Sequence, residues 1–399
     1  MRRALVLGGY GGFGGRIAVR LAREGFEVVV AGRSLLKAQA FCATHPDARL
    51  TPAAVDRAAP LGPVLARLRP WLVVDAAGPF QGADYAVPRA CIAVGAHYLD
   101  IADGRAFVAG IDPLDAEAVA AGVAVVSGAS TVPALSSAVV DALAAGLERV
   151  TLIEAALTAS HRATGGAAVV EAILSYAGRP VELRQAGRRF LRPGWSDLAW
   201  RRLSVAGGPS LPPRLVALCD VPDLELLGDR CPGRPLVVFR AGAEFAVLNL
   251  ALWALSFSVR WGWVRDLRGL APPMAGVLRA TRGLGGDRSG MEVRVLGLLD
   301  GRPVERRWTL IAERGDGPQT PCLAAPLLAR KLADGALSPG ARPAVGLLSL
   351  AEFEASFAGL AFSTGVETLA SPPPRSARGA TRGRRPYRAT SRRTWPDRV

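Results

Sequence analysis

The feature that most constrains the fold is a glycine-rich turn near the N-terminus, where Gly9, Gly11 and Gly14 form a G-x-G-x-x-G pattern. The turn lies between an apolar run at 3–8 and a helical pattern at 16–24, and a second apolar run follows. A strand, a glycine turn, a helix and a parallel strand are typical of a dinucleotide-binding βαβ unit. In that unit the pyrophosphate lies on the free N–H groups of the helix N-terminus. A glycine turn that binds nothing is the alternative, and the flanking strand and helix disfavour it.

The end of the second strand indicates which dinucleotide binds. An NAD enzyme usually carries Asp or Glu about 20 residues beyond the glycines, whereas this chain has Ala31-Gly32-Arg33-Ser34 there. The Arg33 guanidinium can form bidentate, charge-assisted hydrogen bonds to a 2′-phosphate, and Ser34 can donate a further hydrogen bond. A solvent-facing arginine is the alternative. We predict NADP(H) as the cofactor, with the following binding residues: Gly9, Tyr10, Gly11, Gly12, Phe13, Gly14, Arg33, Ser34, Asp56, Ala77, Gly78, Pro79 and Phe80.

Strand and helix patterns alternate through the first third of the chain and then change. The alternation predicts a doubly wound parallel sheet, that is, a Rossmann domain. Beyond it, strands are expected at 150–157, 236–239, 291–298 and 304–311, the last two joined as a hairpin. The predicted fold class is α/β: a Rossmann domain, a second α+β domain and a disordered basic tail. The expected bounds are 1–147 for NADP binding, 148–320 for the α+β substrate and dimerisation domain, 321–368 for closing helices that pack back on the first domain, and 369–399 for the tail.

Charge is concentrated at the C-terminus. The chain carries a formal net charge of +15, and residues 371–399, with nine arginines and one aspartate, contribute +8 of it. Their Pro, Arg, Gly, Ser and Thr cannot bury enough apolar surface to offset the entropy of ordering. An arm for nucleic acid or an acidic partner is one interpretation. A solvated extension is favoured, and we expect no specific nucleic-acid partner.

Cysteine and histidine usage bears on compartment and metal binding. Five scattered cysteines without a C-x-x-C pair fit free thiols in a reducing cytoplasm. Three separated histidines predict no metal site. The N-terminal apolar run breaks at Gly8, which argues against a signal peptide. We expect a cytoplasmic protein.

One apolar segment, 245–264, needs a separate interpretation. Its first fifteen residues are uncharged, followed by alternating tryptophans and arginines. It falls short of the roughly 20 residues needed to span a bilayer. A buried core or subunit interface is favoured, and we expect a homodimer through the second domain. Peripheral membrane contact, or contact with an apolar substrate, stays open.

Four segments together resemble the saccharopine dehydrogenase NADP-binding family: the glycine turn at 9–15, A-A-G-P-F at 76–80, G-A-H-Y-L-D at 95–100, and G-A-S-T-V-P-A-L-S at 128–136. The resemblance covers residues 1 to about 145 well, the second domain only in outline, and the tail not at all. It implies a mixed-sheet catalytic domain that often mediates dimerisation, and NADP(H)-linked chemistry at a C–N or related unsaturated bond.

The resemblance also implies site residues. In the enzymes that make saccharopine, a tyrosine at the position resembling Tyr98 lines the site. An aspartate in a G-x-D-P-G stretch, at about Thr131 here, contacts the substrate ammonium. This chain has Ser130-Thr131-Val132-Pro133 instead. An ammonium would lose its ion-pair partner there, which implies a substrate other than saccharopine.

The polar candidates follow strand ends that should converge in a doubly wound sheet. We predict Tyr98 and His161 as catalytic residues, His161 with Arg162 beside it. We predict Tyr98, Asp100, Ser130 and Thr131 as substrate contacts. The alternatives are a packed tyrosine, a structural acid at the start of a loop, and a solvated histidine.

The sequence is compatible with three functions. The first is an NADP(H)-dependent oxidoreductase that transfers a hydride to or from a C–N bond of a small substrate. The second is a reductase of a C=C bond on a lipid-like substrate, which would suit the apolar segment. The third is a non-catalytic NADP-sensing or scaffold protein.

Overall fold

Two seven-stranded sheets organise the chain. The computed structural model describes residues 2–162 and 166–370, and the tail predicted at 371–399 lies outside them. The first sheet holds six strands from the N-terminal part: β1 Arg3–Leu7, β2 Glu27–Gly32, β3 Leu50–Ala54, β4 Leu72–Asp75, β5 His97–Asp100 and β6 Ala124–Ser127. Its helices are α1 Gly14–Arg23, α2 Leu35–Ala43, α3 Gly62–Leu68, α4 Ala86–Ala93, α5 Arg105–Ala109, α6 Asp115–Ala120 and α7 Ser136–Ala144.

The strand order of this sheet confirms the predicted Rossmann architecture. The order is β3-β2-β1-β4-β5-β6, every neighbouring pair is parallel, and the order reverses between β1 and β4. The strands β4 and β6 are buried along their whole length because helices cover both faces of the sheet. In such sheets ligands bind outside the carboxyl ends of the strands at the reversal point. The fold therefore places a site beside the turns that follow β1 and β4.

The second domain is built on a mixed sheet, as the sequence predicts. Its strands are β7 Arg149–Ala159, β10 Ala199–Arg201, β11 Arg214–Leu218, β12 Leu236–Ala243, β13 Ser289–Leu299 and β14 Arg302–Ala312, and a separate hairpin consists of β8 Pro180–Gln185 and β9 Arg188–Pro193. Its helices are α8 Ala167–Tyr176, α9 Asp223–Leu226, α10 Ala246–Arg260 and α11 Ala271–Ala280. Strands β13 and β14 pair from Leu299↔Arg302, with Asp300 and Gly301 in the two-residue turn at positive φ. The predicted hairpin is confirmed.

The segment 321–368, expected to be closing helices, contains strands as well. It comprises α12 Ala324–Ala333, β15 Gly340–Pro343, α13 Leu350–Ala355 and β16 Phe362–Ala370. Helix α12 packs on α1 as expected, but β15 pairs with β6 and completes the first sheet. Strand β16 pairs with β14 and extends the second sheet through Leu369 and Ala370, the predicted start of the tail. The prediction missed β15 because a buried edge strand reading G-A-R-P carries no alternating apolar pattern.

Among the described residues, no helix is long and apolar enough to cross a membrane. The apolar segment that raised the question forms α10, a helix of 15 residues on the second domain. Two described X-Pro bonds are cis, Gly78–Pro79 and Val132–Pro133, and both follow strands of the first sheet.

Candidate functional site

The glycine turn is shaped by close backbone approaches. A Cβ on Gly14 would lie 2.2 Å from the carbonyl oxygen of Gly8, and one on Gly9 would lie 2.8 Å from that of Val6. Gly8, rather than Gly9, takes the positive φ of the turn, at +71°. A Cβ on Gly12 would meet nothing within 4 Å. The turn is therefore compact on its protein side and open at Gly12, where a diphosphate would approach.

The N-terminus of α1 is electrostatically prepared for an anion. No side chain caps the helix at Phe13, and its first turn holds no acidic residue. The Arg16 guanidinium hydrogen-bonds the carbonyl oxygen of Gly12 and so adds positive charge beside the turn. The helix dipole and this arginine both favour a phosphate here.

At the end of β2, Tyr10 and Ser34 lock the turn to the start of α2. The Tyr10 hydroxyl accepts a hydrogen bond from the Ser34 N–H at 3.1 Å. Its ring lies over Gly32, where a Cβ would come within 2.5 Å of it. The Ser34 side chain caps α2 by accepting from the Lys37 N–H, and its hydroxyl proton remains available. Arg33 is exposed beside it and forms no ion pair within the described residues.

The turn after β4 is supported by a buried ion pair that the sequence analysis missed. Arg57 donates to Asp75 at 2.6 Å, and its guanidinium lies 5.1 Å from the centre of the Phe80 ring. Asp75 also accepts from the N–H of Ala77 at 3.0 Å, which fixes the start of the predicted 77–80 segment. Burial raises the pKa of Asp75, and Arg57 offsets that effect. The exposed Asp56 accepts from the N–H of Ala58 at 3.0 Å.

Tyr98 and Asp100 lie on the same face of β5 and are both fully buried. The Tyr98 ring packs in the core of the first domain with Leu5 and Val73, and its hydroxyl lies near the Asp75 carboxylate without a hydrogen bond of strict geometry. Burial raises the pKa of Tyr98 well above its ordinary value, and the nearby Asp100 adds to the rise. A phenol in this position contributes packing; its predicted catalytic role stays a prediction.

Asp100 fastens the end of β5 to the turn after β6. One carboxylate oxygen accepts from the N–H groups of Ala102 at 2.9 Å and Gly128 at 2.7 Å, and from the Ser127 hydroxyl at 3.0 Å. Burial raises its pKa to about 6, against these three hydrogen bonds. The contacts are those of a structural acid, and its predicted contact with substrate stays a prediction.

Ser130 and Thr131 are buried in the turn that leads from β6 to α7. Helix α9 of the second domain packs against this turn. Asp223, the first residue of α9, is buried beside Ser136, and neither of its carboxylate oxygens has a hydrogen-bond partner in strict geometry. Burial raises the pKa of Asp223 to about 7, with a smaller opposing effect from the Ser136 hydroxyl. The domain contact thus encloses a carboxyl group in the turn region where the family's aspartate was expected.

His161 is held within the second domain. Its ring Nε2 lies 2.9 Å from the Thr281 hydroxyl, and its ring packs on Phe245. Its backbone N–H donates to the Glu244 carboxylate at 2.8 Å. These partners do not include Tyr98, so the two predicted catalytic residues are not brought into contact. The side chain is buried, which differs from the solvated alternative. Arg162 beside it is exposed.

A polar cluster that the sequence analysis did not identify lies where the two domains meet. We name Asp103, Tyr176, Cys219 and Asp220 the junction cluster. Asp103 follows β5 and accepts from the Gln81 amide at 2.9 Å, whereas the other three come from the ends of α8 and β11. Tyr176 lies against Cys219 and interacts electrostatically with both carboxylates. The loop that carries Asp103 touches the predicted cofactor turn, since a Cβ on Gly104 would lie 3.1 Å from the Phe80 carbonyl oxygen.

Arg105 joins the two halves of the junction cluster. Its guanidinium donates to the Glu182 carbonyl at 2.8 Å, to Asp220 at 3.3 Å and to Glu225 at 2.8 Å. These contacts tie the loop after β5 to the second domain. They fix Asp103 and Asp220 relative to each other without pairing Asp103 directly.

Burial dominates the electrostatics of the junction cluster. Burial raises the pKa of Asp103, which the Gln81 hydrogen bond opposes, and burial also raises the pKa of Asp220, which Arg105 opposes. Burial raises the pKa of Tyr176 well above its ordinary value and that of Cys219 to about 12. The phenol and thiol therefore stay protonated near neutral pH. The carboxyl groups are the members that can exchange a proton.

The missed residues differ in how far the sequence could have shown them. Asp103 and Arg105 come directly after a strand whose end was already singled out, so extending that segment would have included them. Tyr176 and Asp220 lie in the second domain, far from β5 in sequence. No spacing pattern in the sequence indicates that Tyr176 and Asp220 lie against the first domain.

Comparisons with known proteins identify the class and then the family. The strand order and the glycine turn define a dinucleotide-binding oxidoreductase fold. Residues 4–126 match the family model described as saccharopine dehydrogenase NADP binding domain. The N-terminal domain belongs to that family, and the cofactor is NADP(H).

Solved structures extend the likeness to the second domain. The chain is similar to apo histidine-tagged saccharopine dehydrogenase (L-Glu forming) from Saccharomyces cerevisiae, with a TM-score of 0.62 and 13% identity over 93% of this chain and 100% of that one. It also matches an amine dehydrogenase from Mycobacterium smegmatis, with a TM-score of 0.48 and 12% identity over 85% of this chain and 94% of that one. The first match shows the fold; the second score is too low to support an argument. A search of curated proteins gave no significant match.

The residues present fit NADP(H). The turn is open at Gly12, the α1 N-terminus is uncapped, and Arg33 and the Ser34 hydroxyl stand together at the end of β2. A carboxylate that would repel a 2′-phosphate is absent from the residues between Ala31 and Ser34. The predicted contacts of the individual residues with the cofactor stay predictions.

Proposed function

We propose that this protein is an NADP(H)-dependent oxidoreductase that transfers a hydride to or from a C–N bond of a small substrate other than saccharopine. The observation that carries the proposal is the junction cluster, which sets two carboxyl groups and a phenol beside the loop at the carboxyl ends of β4 and β5. A substrate amine needs an anionic partner. Asp103 and Asp220 supply one in a chain that lacks the family's aspartate near Thr131.

In this reaction the cofactor and the chain's own residues would have distinct roles. NADP(H), when bound, supplies or accepts the hydride. In the reductive direction the carboxyl group of Asp103, protonated for this step, would give its proton to the C=N nitrogen. The carboxylate left behind would pair with the resulting iminium cation, and hydride transfer would then leave a neutral amine. Tyr176, whose raised pKa makes it a poor acid, orients the nitrogen by hydrogen bonding.

A second candidate function is reduction of a C=C bond on a lipid-like substrate. The observation in its favour is the apolar outer face of α10, which exposes Val247, Leu250 and Leu255. Helix α10 packs on β11 and β12 of the second domain, away from the glycine turn. This makes the C–N proposal the better supported of the two.

Substrate profiling of the purified protein tests the proposal. NADPH consumption would be measured with a panel of cyclic imines and of amine plus 2-oxo acid pairs, against 2-enoyl thioesters of several chain lengths. We expect turnover with members of the imine panel, and loss of most of it in Asp103→Asn. Turnover confined to the enoyl thioesters would establish the second function. Tight NADPH binding without turnover of either panel would establish an NADP-sensing protein instead.

The assembly and location of the protein stay predictions from the sequence. A homodimer through the second domain would be tested by sedimentation equilibrium. A cytoplasmic location would be tested by fractionation of the source cells.

A further inference from the structure

Helix α10 exposes much of its apolar surface and buries two polar side chains, those of Asn249 and Ser256. Its buried positions are Asn249, Leu252 and Ser256, spaced for one helix face. Asn249 hydrogen-bonds the carbonyl oxygens of Leu215 and Ala243 and accepts from the Ala243 N–H, which anchors the helix to the second sheet. A surface helix in water normally shows the reverse arrangement. The outward face of α10 is therefore built for contact with something apolar.

The outward face continues into an aromatic tip. Val247, Leu250 and Leu255 are exposed by 67%, 44% and 41%, and Trp261 and Trp263 by 62% and 72%. Ring contacts run from Trp253 to Phe257 at 5.0 Å, from Phe257 to Trp261 at 5.3 Å and from Trp261 to Trp263 at 4.9 Å. We name the set of Val247, Leu250, Leu255, Trp261 and Trp263 the apolar platform. Single exposed apolar residues are ordinary, but a continuous face of this kind marks an interaction surface.

The charges around the apolar platform select its partner. No acidic residue occurs between 245 and 265, whereas Arg260 and Arg265 lie at the aromatic end. The Arg260 guanidinium sits 4.4 Å from the centre of the Phe257 ring, where its Nε and Nη2 atoms are buried, whereas Arg265 is exposed and forms no ion pair within the described part of the chain. The acids on either side are engaged: Glu244 with Arg214, and Asp266 with Arg268. The tip is thus apolar, aromatic and cationic.

We propose that the apolar platform docks the protein onto an anionic lipid surface. Helix α10 has 15 residues, of which only the last, Arg260, is charged, and is about 22 Å long, which suits a helix lying flat in the interface rather than crossing it. Tryptophan prefers the headgroup level, and arginine beside it attracts acidic headgroups. Acidic headgroups complement the exposed cation at the aromatic end of the platform, and this charge complementarity favours the lipid over a second copy of the chain.

Vesicle binding of the full chain tests this proposal. The probes are vesicles of phosphatidylcholine with one third phosphatidylglycerol, and vesicles of phosphatidylcholine alone. The variants are Leu250→Gln with Leu255→Gln, Trp261→Ser with Trp263→Ser, and Arg265→Glu. The matched controls are Trp200→Ser, an exposed tryptophan on β10, and Arg188→Glu on the β8–β9 hairpin. All keep the arginine-rich C-terminus, so its contribution is common to every sample.

We expect binding to the anionic vesicles, a blue shift of tryptophan emission on binding, and affinity about tenfold lower in each platform variant than in the controls. NADPH binding, unchanged throughout, reports that the variants are folded. Equal vesicle binding by wild type and platform variants would overturn the proposal, because the C-terminal arginines would then account for it. Loss of a wild-type dimer in the Leu250→Gln/Leu255→Gln variant, without any change in vesicle binding, would overturn it in favour of a contact between copies.

Discussion

Arg33 is the residue on which cofactor discrimination depends. It is exposed at the end of β2 without an ion pair among the described residues, beside the hydroxyl of Ser34. We predict that Arg33→Glu weakens NADPH binding by about 100-fold, because a fork to the phosphate is replaced by repulsion. NADH affinity should change little. Fluorescence titration with both nucleotides measures the effect, and Arg67→Glu on α3 is the control for added negative charge. Equal losses for NADPH and NADH would contradict the assignment.

Substitutions of Asp103 and Tyr176 should distinguish a role in proton exchange from a role in orienting the substrate nitrogen. We predict that Asp103→Asn lowers kcat for the imine substrate by about 100-fold and removes the pH dependence that this carboxyl group imposes. Tyr176→Phe removes only a hydroxyl, and we expect a smaller loss with an altered KM. NADPH affinity should be unchanged in both variants, since neither residue is in the glycine turn. A wild-type pH profile in Asp103→Asn would rule out proton exchange by this carboxyl group.

At the scale of the element, the turn between β1 and α1 contains one glycine that is needed for packing and another that faces open space. A Cβ at position 14 would lie 2.2 Å from the Gly8 carbonyl oxygen, whereas one at position 12 would meet open space. We predict that Gly14→Ala lowers the free energy of unfolding by about 2 kcal/mol. Gly12→Ala should leave stability within about 0.5 kcal/mol of wild type and weaken NADPH binding. Denaturant unfolding and nucleotide titration measure the two effects, and a stability loss in Gly12→Ala would contradict the geometry.

The elements of the first domain were predictable because their signals are local. Short buried parallel strands alternate with helices, and Gly9 to Gly14 fix the first turn, so the architecture follows from pattern alone. The pattern did not show that Gly8 rather than Gly9 takes the positive φ, because that depends on how closely the turn passes Ala76. Strand β15 was missed for the same reason: its pairing with β6 is decided by a distant part of the fold.

At the scale of the whole molecule, the junction between the domains could not be predicted. Asp103 interacts electrostatically with Tyr176, and Asp223 lies beside Ser136, across more than 70 residues of sequence. Such contacts are set by how the second sheet docks on the first domain, and no periodicity encodes that docking. The sequence therefore pointed to Tyr98, on a predicted strand, and to His161, just after one, and did not show the residues at the domain contact.

The enclosed carboxyl group of Asp223 makes the stability of the whole molecule depend on pH. Its pKa is raised to about 7 in the folded state, so the folded protein binds the proton more tightly than the unfolded chain does. This contribution makes the free energy of unfolding fall as pH rises from the ordinary carboxyl range through about 7. We predict that Asp223→Asn, compared with wild type, gains about 4 kcal/mol between pH 4 and pH 8. Thermal or urea unfolding at several pH values measures the difference.

The control for this prediction is Asp47→Asn, an exposed acid in the loop before β3. Its unfolding free energy should run parallel to that of wild type across the same pH range. If the unfolding free energy of Asp223→Asn also runs parallel to that of wild type, the buried carboxyl group of Asp223 does not titrate in this range. The interpretation of Asp223 as an enclosed acid at the domain contact is then wrong.

The measurement that tests the central claim most directly is a crystal structure of the protein with NADPH bound. The account predicts the diphosphate on the turn at Gly12, the 2′-phosphate at Arg33, and the nicotinamide ring between Phe80 and the junction cluster. Its C4 should face a space bounded by Asp103 and Tyr176 that can hold a small substrate. A nicotinamide ring that points away from the junction cluster, or that fills the space beside it, would contradict the proposed oxidoreductase site.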